Sequence, residues 1–273
     1  MADMAAPEKS CKACAPRRVL STRKALAAGL ILLAVAGAPA GAAAACRNAA
    51  NGDQQFVVCE YQPAEDDIRL FLNDENGEPY RDFSPLQEAL EARGKALLFA
   101  MNAGMYRKDR SPVGLYVENR QEKHKLSLKD GPGNFHLKPN GVFWIQDNKE
   151  GMISALVTTA GEFAEGAHHV REATQSGPML VIDGELHPKF LVDATSRKRR
   201  NGVGVRKDGT VVFAISDTLV TFYEFASYFR DDLATPNALY LDGTISRLYA
   251  PDVGRDDGGA AMGPIIGVVE PAD

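Results

Sequence analysis

The sequence is poor in the residues from which metal and nucleotide sites are built. Its 273 residues include five histidines (His124, His136, His168, His169 and His187), four cysteines and one tryptophan. No histidine stands in an HxxxH pair or in a Cys/His set with zinc-ligand spacing, so neither a structural metal nor a cofactor is expected. A Gly-x-Ser-x-Gly elbow, a Walker loop and a dinucleotide fingerprint are all missing. Gly202-Val203-Gly204 lacks the third glycine and opens a hairpin instead of joining a strand to a helix. Serine-hydrolase, NTPase and Rossmann chemistry fall away with these motifs. An excess of positive charge is lacking too: 31 Lys+Arg stand against 36 Asp+Glu, which argues against nucleic acid as a partner. Internal repeats and Pro/Ser linkers are absent beyond the N-terminal segment, so one domain is the simplest account.

What is present begins with a hydrophobic run. Arg17, Arg18, Arg23 and Lys24 precede an uncharged stretch from Ala25 to Ala45, the basic and apolar regions of a secretory signal. Ala38-Pro39-Ala40 and Ala43-Ala44-Ala45 offer cleavage sites, at about Ala40 or Ala45 by the A-x-A rule. Residues 1–45 are therefore expected to target a periplasmic or secreted body, with membrane contact only through this segment. A retained anchor, a lipidated Cys46 and twin-arginine export through Arg17-Arg18 stay open as alternatives. Residues 46–273 carry 25 Lys+Arg and 34 Asp+Glu, so the exported body is more acidic than the whole chain. Cys11 and Cys14 would leave with the signal. Cys46 and Cys59 would then be either a disulfide tying the new N-terminus to the first strand or two free thiols.

Beyond the signal, β-branched and aromatic runs alternate with turns. Phe56–Tyr61, Asp67–Leu72, Leu97–Met101, Leu115–Glu118, Gly141–Ile145 and Ile153–Thr158 read as strands. Four runs are broken by Asn140-Gly141, Asp183-Gly184, Asp208-Gly209 and Asp242-Gly243, as tight hairpins demand. One helix should open at Ser84-Pro85, with Gln87 in the capping-box position, and close at Gly94. A second should run from about Thr221 to Phe229, with Phe222, Phe225, Ala226 and Phe229 on one face. A third is expected around Gly161–Ala173. The fold class is α+β, a single domain with a mixed, largely antiparallel sheet and packed helices.

Polar residues at strand ends are the candidates for chemistry, because strand ends are where a scaffold presents it. They are Asn102, Ser176 with Gly177, Arg200, and Asp242 with Gly243. Each has a plainer reading: Asn102-Ala103-Gly104 and Asp242-Gly243 as turns, and Arg197-Lys198-Arg199-Arg200 as a solvated loop. Glu224, three residues after Thr221, reads first as a helix cap and second as an acid.

Six ordered elements carry a resemblance. They are Asn102-Ala103-Gly104-Met105-Tyr106, Ser176-Gly177-Pro178-Met179-Leu180, Arg200-Asn201-Gly202-Val203-Gly204, a strand ending near Asp217, the helix of Tyr223-Glu224-Phe225-Ala226, and Ala238-Leu239-Tyr240-Leu241-Asp242-Gly243. From about Leu97 to the C-terminus the chain resembles the phosphodiester glycosidase family of uncovering-enzyme-like domains, and its wording is similar to an exported bacterial subgroup. It departs from the family at Ala103, where the family has Gly, and at Thr244-Ile245-Ser246, where glycines and serines are usual. The resemblance implies residues 97–270 as the glycosidase-like part, with residues 46–96 supplying the domain's N-terminal strands and helix.

Cleaving a sugar C–O bond to phosphate builds oxocarbenium character and releases a phosphate monoester, which calls for cationic or N–H stabilisation. The resemblance thus implies Arg200 as phosphate binder and Asp242 as the carboxylate that stabilises the sugar cation or activates water. Asn102 and Ser176 would orient the substrate, Gly177 and Gly243 would let it approach the backbone, and Asp217 would be a second carboxylate. Two alternatives share these residues: a glycan-binding or envelope-assembly module without catalysis, and a phosphodiesterase that breaks the P–O bond.

Overall fold

The computed structural model describes residues 45–272 apart from 148, 149, 167, 168 and 244. The expected targeting segment up to residue 44, Cys11 and Cys14 within it, His168 and Thr244 lie outside the described residues.

In chain order the elements are β1 (Cys46–Asn51), β2 (Gln54–Tyr61), β3 (Asp67–Phe71), α1 (Phe83–Glu91), β4 (Lys95–Asn102), β5 (Tyr116–Glu118) and β6 (Gln121–His124). There follow β7 (Gly141–Asp147), β8 (Ile153–Thr159), α2 (Ala160–Glu165), β9 (Val170–Ser176), β10 (Met179–Ile182), β11 (Glu185–Leu186), β12 (Asn201–Val205) and β13 (Val211–Ser216). The chain continues through α3 (Phe222–Ser227), a π-helical turn (Tyr228–Asp232), β14 (Asn237–Tyr240), β15 (Leu248–Ala250), β16 (Arg255–Asp256) and β17 (Ile265–Pro271).

The strands form a seven-stranded sheet ordered β1-β2-β13-β12-β14-β10-β11 and two five-stranded sheets ordered β16-β15-β4-β17-β3 and β6-β5-β9-β7-β8. All of these pairings are antiparallel. The chain is therefore the α+β, mostly antiparallel domain that its sequence leads one to expect, with 42% strand and 14% helix. Residues 46–96 do not stand apart, since β1 and β2 belong to the first sheet and β3 to the second.

Period-two alternation explains how three sheets share one interior. Along β2, Val57, Cys59 and Tyr61 face a core that also takes Phe213 from β13, Phe99 from β4 and Phe143 from β7. Phe213 is the meeting point: its ring lies 4.9 Å from that of Phe99 in the second sheet and 6.1 Å from that of Phe143 in the third. The alternate residues Phe56 and Val58 face outward, under Phe225 and Phe229. Phe56 stacks on Tyr228 at 3.9 Å. On the second sheet, Leu86 and Leu90 of α1 cover Phe71, Leu97 and Ile265. Cys46 and Cys59 are direct partners across β1 and β2 and are joined by a disulfide.

Three expectations need correction. The helix around residues 161–173 is only α2, started by a Thr159–Glu162 capping box and followed by Gly166 at its C-cap. Residues from Val170 belong to β9, where pairing with β5 on one side and β7 on the other overrides local helix preference. Helix α1 begins earlier than Ser84: Asp82 is the N-cap and its Oδ1 accepts from the Phe83 N–H at 2.8 Å. Pro85 then falls in the first turn, where a missing N–H costs nothing. Finally, only two of the four Asn/Asp-Gly pairs make hairpins. Asp183-Gly184 joins β10 to β11, and Asp208-Gly209 lies between β12 and β13. Asn140-Gly141 instead opens β7, and Asp242-Gly243 lies where the chain passes from the first sheet to the second.

Among the described residues no helix is long and apolar enough to cross a membrane.

Candidate active site

The exchange between sheets at Asp242 brings several strand ends together. Strand β4 stops at Asn102, β12 starts at Asn201, and β14 runs out at Tyr240 just before Leu241 and Asp242. Asn201 Nδ2 donates to the Asn102 carbonyl at 3.2 Å, and the Leu241 N–H donates to the Asn201 carbonyl at 3.1 Å. Asn102 then holds the next loop at both ends: its Nδ2 donates to the Asp242 carbonyl at 3.0 Å, and its Oδ1 accepts from the Arg247 N–H at 3.0 Å. The Asp242 N–H completes the lacing by donating to the Ala103 carbonyl at 3.1 Å. An asparagine is suited to this work, since one short amide offers a donor and an acceptor in a single plane. Asn102 is fully buried, so its amide positions the loop.

Arg200 lies one residue before Asn201 and is 2% exposed. Its Nε donates to the Val220 carbonyl at 2.9 Å, Nη2 to the Ser196 carbonyl at 3.1 Å and Nη1 to the Tyr240 hydroxyl at 3.4 Å. The guanidinium also lies over the Phe222 ring, 3.7 Å from its centroid. All these partners are neutral. Burial pulls the Arg200 pKa below the ordinary arginine value, yet an arginine stays charged. It is thus a cation whose field, with no carboxylate paired to it among the described residues, reaches the site through the Tyr240 hydroxyl.

Two phenols border the Asp242 carboxyl. The Tyr106 hydroxyl is pushed up to about 12, first by burial and then by the charge of Asp242, against the opposing pull of Arg110. Tyr240 is also pushed up to about 12, mainly by burial, with Arg200 pulling it down and Asp242 pushing it up. Both are therefore neutral hydroxyls at physiological pH. Arg110 reaches Tyr106 because the 106–112 segment folds back on itself through a Tyr106–Pro112 bridge. Its guanidinium carbon is 5.3 Å from the Tyr106 ring centroid.

The glycines prove to serve the protein's own packing. A Cβ on Gly243 would fall 1.4 Å from the Tyr240 hydroxyl oxygen, and one on Gly177 would fall 2.8 Å from the Asn140 Cβ. The close approach expected of a substrate is thus made by side chains of the chain itself. Ser176, at the end of β9, is fully buried, and its Oγ has no hydrogen-bond partner among the described residues. Asp217 makes none of the contacts around Asp242. Its carboxylate pairs with Arg255 at 2.8 Å, and Arg255 also holds Asp257 at 2.6 Å. Glu224 is a helix cap, accepting from the Thr221 N–H at 2.8 Å, and Arg197 binds its carboxylate with both Nη atoms.

The basic run Arg197–Arg200 is thereby divided three ways. Arg197 goes to Glu224 and Arg200 goes inward, while Lys198 and Arg199 line a pocket of about 330 Å³ together with Gly243, Ser246 and Arg247. A carboxylate, two neutral phenols and a cationic pocket at Gly243 can hold an anionic group and steady a developing positive charge beside it. Among the described residues no group of three or more His, Cys, Asp or Glu could hold a metal ion.

Sequence reasoning missed Arg110, Arg247 and the part played by the two tyrosines. Tyr106 and Tyr240 sit inside motifs already singled out, so their hydroxyls were available to notice. Arg247 carries no local signal. It is buried by Asp82, which receives Nη2 at 2.8 Å, and by the Asp257 carbonyl, which receives Nε at 2.7 Å.

Residues 95–268 match the model of a family described as phosphodiester glycosidase. The uncharacterized protein YigE of Escherichia coli strain K12 is 35% identical over 209 residues, covering 76% of this chain and 80% of that protein. The catalytic domain of zebrafish N-acetylglucosamine-1-phosphodiester alpha-N-acetylglucosaminidase, auto-inhibited by its pro-peptide, is similar with a TM-score of 0.55 at 13% identity, over 82% of this chain and 81% of that one. A Burkholderia pseudomallei protein provisionally named as exported gives a TM-score of 0.54 at 13% identity, over 79% of this chain and 74% of the other. At such identities these two structures speak for the fold alone.

Proposed function

The chain belongs to the phosphodiester glycosidase family, and from that premise we propose that it is an exported hydrolase that cleaves a sugar-1-phosphodiester between the sugar carbon and the bridging oxygen. The observation that carries this reading is the convergence of Asn102, Asp242, Tyr240 and Arg200, which come from three separate stretches of the chain. Asp242 steadies the oxocarbenium ion or activates water, and Asn102 fixes the loop from which it acts. Arg200 serves from beneath, since its guanidinium is held inside and meets the site through the Tyr240 hydroxyl. The departing phosphate monoester is met by the outer cations, Arg110 above Tyr106 and Lys198 and Arg199 in the neighbouring pocket. Ser176, Gly177 and Gly243 shape the walls.

The basic and apolar N-terminal segment supports export, and a disulfide between Cys46 and Cys59 suits an oxidising compartment. Hydrolysis in oxygen-18 water tests the reaction: label on the sugar hydroxyl is expected. Label on the phosphate would mean P–O cleavage. Absence of turnover with any sugar phosphodiester, together with glycan binding that survives Asp242→Ala, would mean a binding module.

A further inference from the structure

The segment that carries Tyr106 and Arg110 also contributes Arg107 and Val113 to a separate groove of about 780 Å³, whose other wall is the stretch from His124 to Lys129. Among the described residues none that lines it is acidic, in a body with more Asp and Glu than Lys and Arg. Residues 125–129 have no regular secondary structure, yet they are fixed from behind. Gln175 Oε1 accepts from the Ser127 N–H at 2.9 Å and its Nε2 donates to the Ser127 carbonyl at 2.7 Å. Lys138 Nζ donates to the Leu128 carbonyl at 2.6 Å, and His136 Nδ1 lies 3.0 Å from the Lys129 carbonyl.

Opposite this wall, Arg107 is held by the Pro112 and Val113 carbonyls, and its Nη1 lies 3.3 Å from His124 Nε2. The Lys125 and Lys129 side chains are exposed, and neither makes an ion pair among the described residues. Leu128, 49% exposed between them, offers an apolar surface of the kind a sugar ring covers. Two stretches of chain serve both the groove and the site. Gln175 directly precedes Ser176 in β9, and Arg107 directly follows Tyr106.

We propose that this groove binds the phosphates of a chain of sugar-phosphate repeats, holding the aglycone side of a polymeric substrate whose terminal sugar occupies the Asp242 site. The inference rests on the proposed function and narrows its substrate class from any sugar-1-phosphodiester to an anionic glycopolymer. Arg107 on one side and Lys125 and Lys129 on a wall whose backbone is held in place suit repeated phosphates, because cations carried on an ordered backbone act together on a polyanion. A neutral glycan would gain nothing from them.

The test measures binding to the full-length Asp242→Ala protein, so that turnover does not intrude. The probes are a hexose-1-phosphate homopolymer, the methyl diester of the same hexose 1-phosphate, neutral dextran, duplex DNA and phosphatidylglycerol vesicles. The homopolymer should bind, about 10-fold more weakly at 300 mM than at 50 mM salt. In that protein Lys125→Glu/Lys129→Glu should weaken it by a further factor of about 10, and Lys125→Ala/Lys129→Ala by less, with the melting temperature unchanged in both. Methyl diester binding should be unaltered by either pair, and dextran should not bind. Homopolymer binding indifferent to both lysine pairs would overturn the proposal, as would lysine-dependent binding of DNA or vesicles without binding of the homopolymer. If the wild-type protein turns over the methyl diester but shows no lysine-dependent preference for the polymer, the groove assignment fails and the hydrolase stands. If the polymer binds through the lysines and no diester is ever cleaved, the groove stands and the hydrolase fails.

Discussion

Gly243 shows how a residue can be found for one reason and kept for another. Its place in a Leu-Asp-Gly element marked it, and the resemblance suggested room for a substrate. What requires the glycine is the Tyr240 hydroxyl, which a Cβ would meet at 1.4 Å. Gly243→Ala should therefore displace Tyr240 from Arg200 and lower kcat/KM about 100-fold, with a loss of about 1–3 kcal/mol in chemical denaturation. Ordinary activity with an unchanged denaturation midpoint would show that the loop absorbs the methyl freely. Arg200 makes the opposite case. Its guanidinium is buried against neutral acceptors, and one of them, the Val220 carbonyl, also accepts from the Lys198 N–H at 3.0 Å. Removing the charge should cost the fold little, because burying it was costly from the start. Arg200→Met is expected to change stability by less than about 2 kcal/mol while cutting kcat about 100-fold. A variant that fails to fold, or one that keeps full kcat, would contradict this. The sequence marked Arg200, Asp242 and Asn102 as polar groups at strand ends. Their division of labour was not legible, because it depends on which carbonyl each N–H meets.

Among the elements, α1 and α3 were legible from caps and periodicity, and α3 keeps its Thr221–Glu224 capping box. The start of α1 was misread because Ser84-Pro85 is a good local signal, whereas Asp82 wins through a partner far along the chain. Its carboxylate caps Phe83 and also receives Arg247 Nη2 at 2.8 Å. Asp82→Ala should therefore cost about 1–2 kcal/mol, and Ser84→Ala close to nothing. Urea midpoints for the two variants check the order, and equal losses would return the cap to Ser84. The strand β9 was hidden for a related reason. Nothing in Val170–Ser176 announces that a strand will pair on both sides, and that pairing comes from segments 24 to 58 residues away. Of the two Asn/Asp-Gly pairs that failed as hairpins, Asn140-Gly141 opens a strand of the third sheet, and Asp242-Gly243, at the candidate site, carries the chain from the first sheet to the second.

For the whole molecule, alternation announced buried strands, but three sheets closing on one interior could not be read from it. Contacts such as Phe213 with Phe99 and Phe143 join distant parts of the chain. The family model begins at residue 95, although β1, β2 and β3 complete two of the sheets. Glu172 belongs to this scale because it binds one sheet to another. Its Oε2 accepts from the Leu70 N–H and its Oε1 from the Asn119 N–H, both at 3.2 Å. Burial raises its pKa to about 7 against an ordinary 4.5, outweighing those N–H groups. The protonated form is thus the one the fold prefers. Its contribution is complete below about pH 4.5 and is lost as pH rises through about 7, by roughly 3 kcal/mol at the outside. Melting temperature should fall across that window in the wild type and stay flatter in Glu172→Gln. Parallel curves for the two proteins would remove Glu172 as the cause.

One amide grips the chain at residue 242 and again at residue 247. The stretch between is therefore a cassette whose mouth is sewn shut, and its length is uncoupled from the place where it begins and ends. Substitutions at Ile245 and Ser246 would leave both of these anchor points where they are. Variation inside the loop needs no change in the strands that frame it.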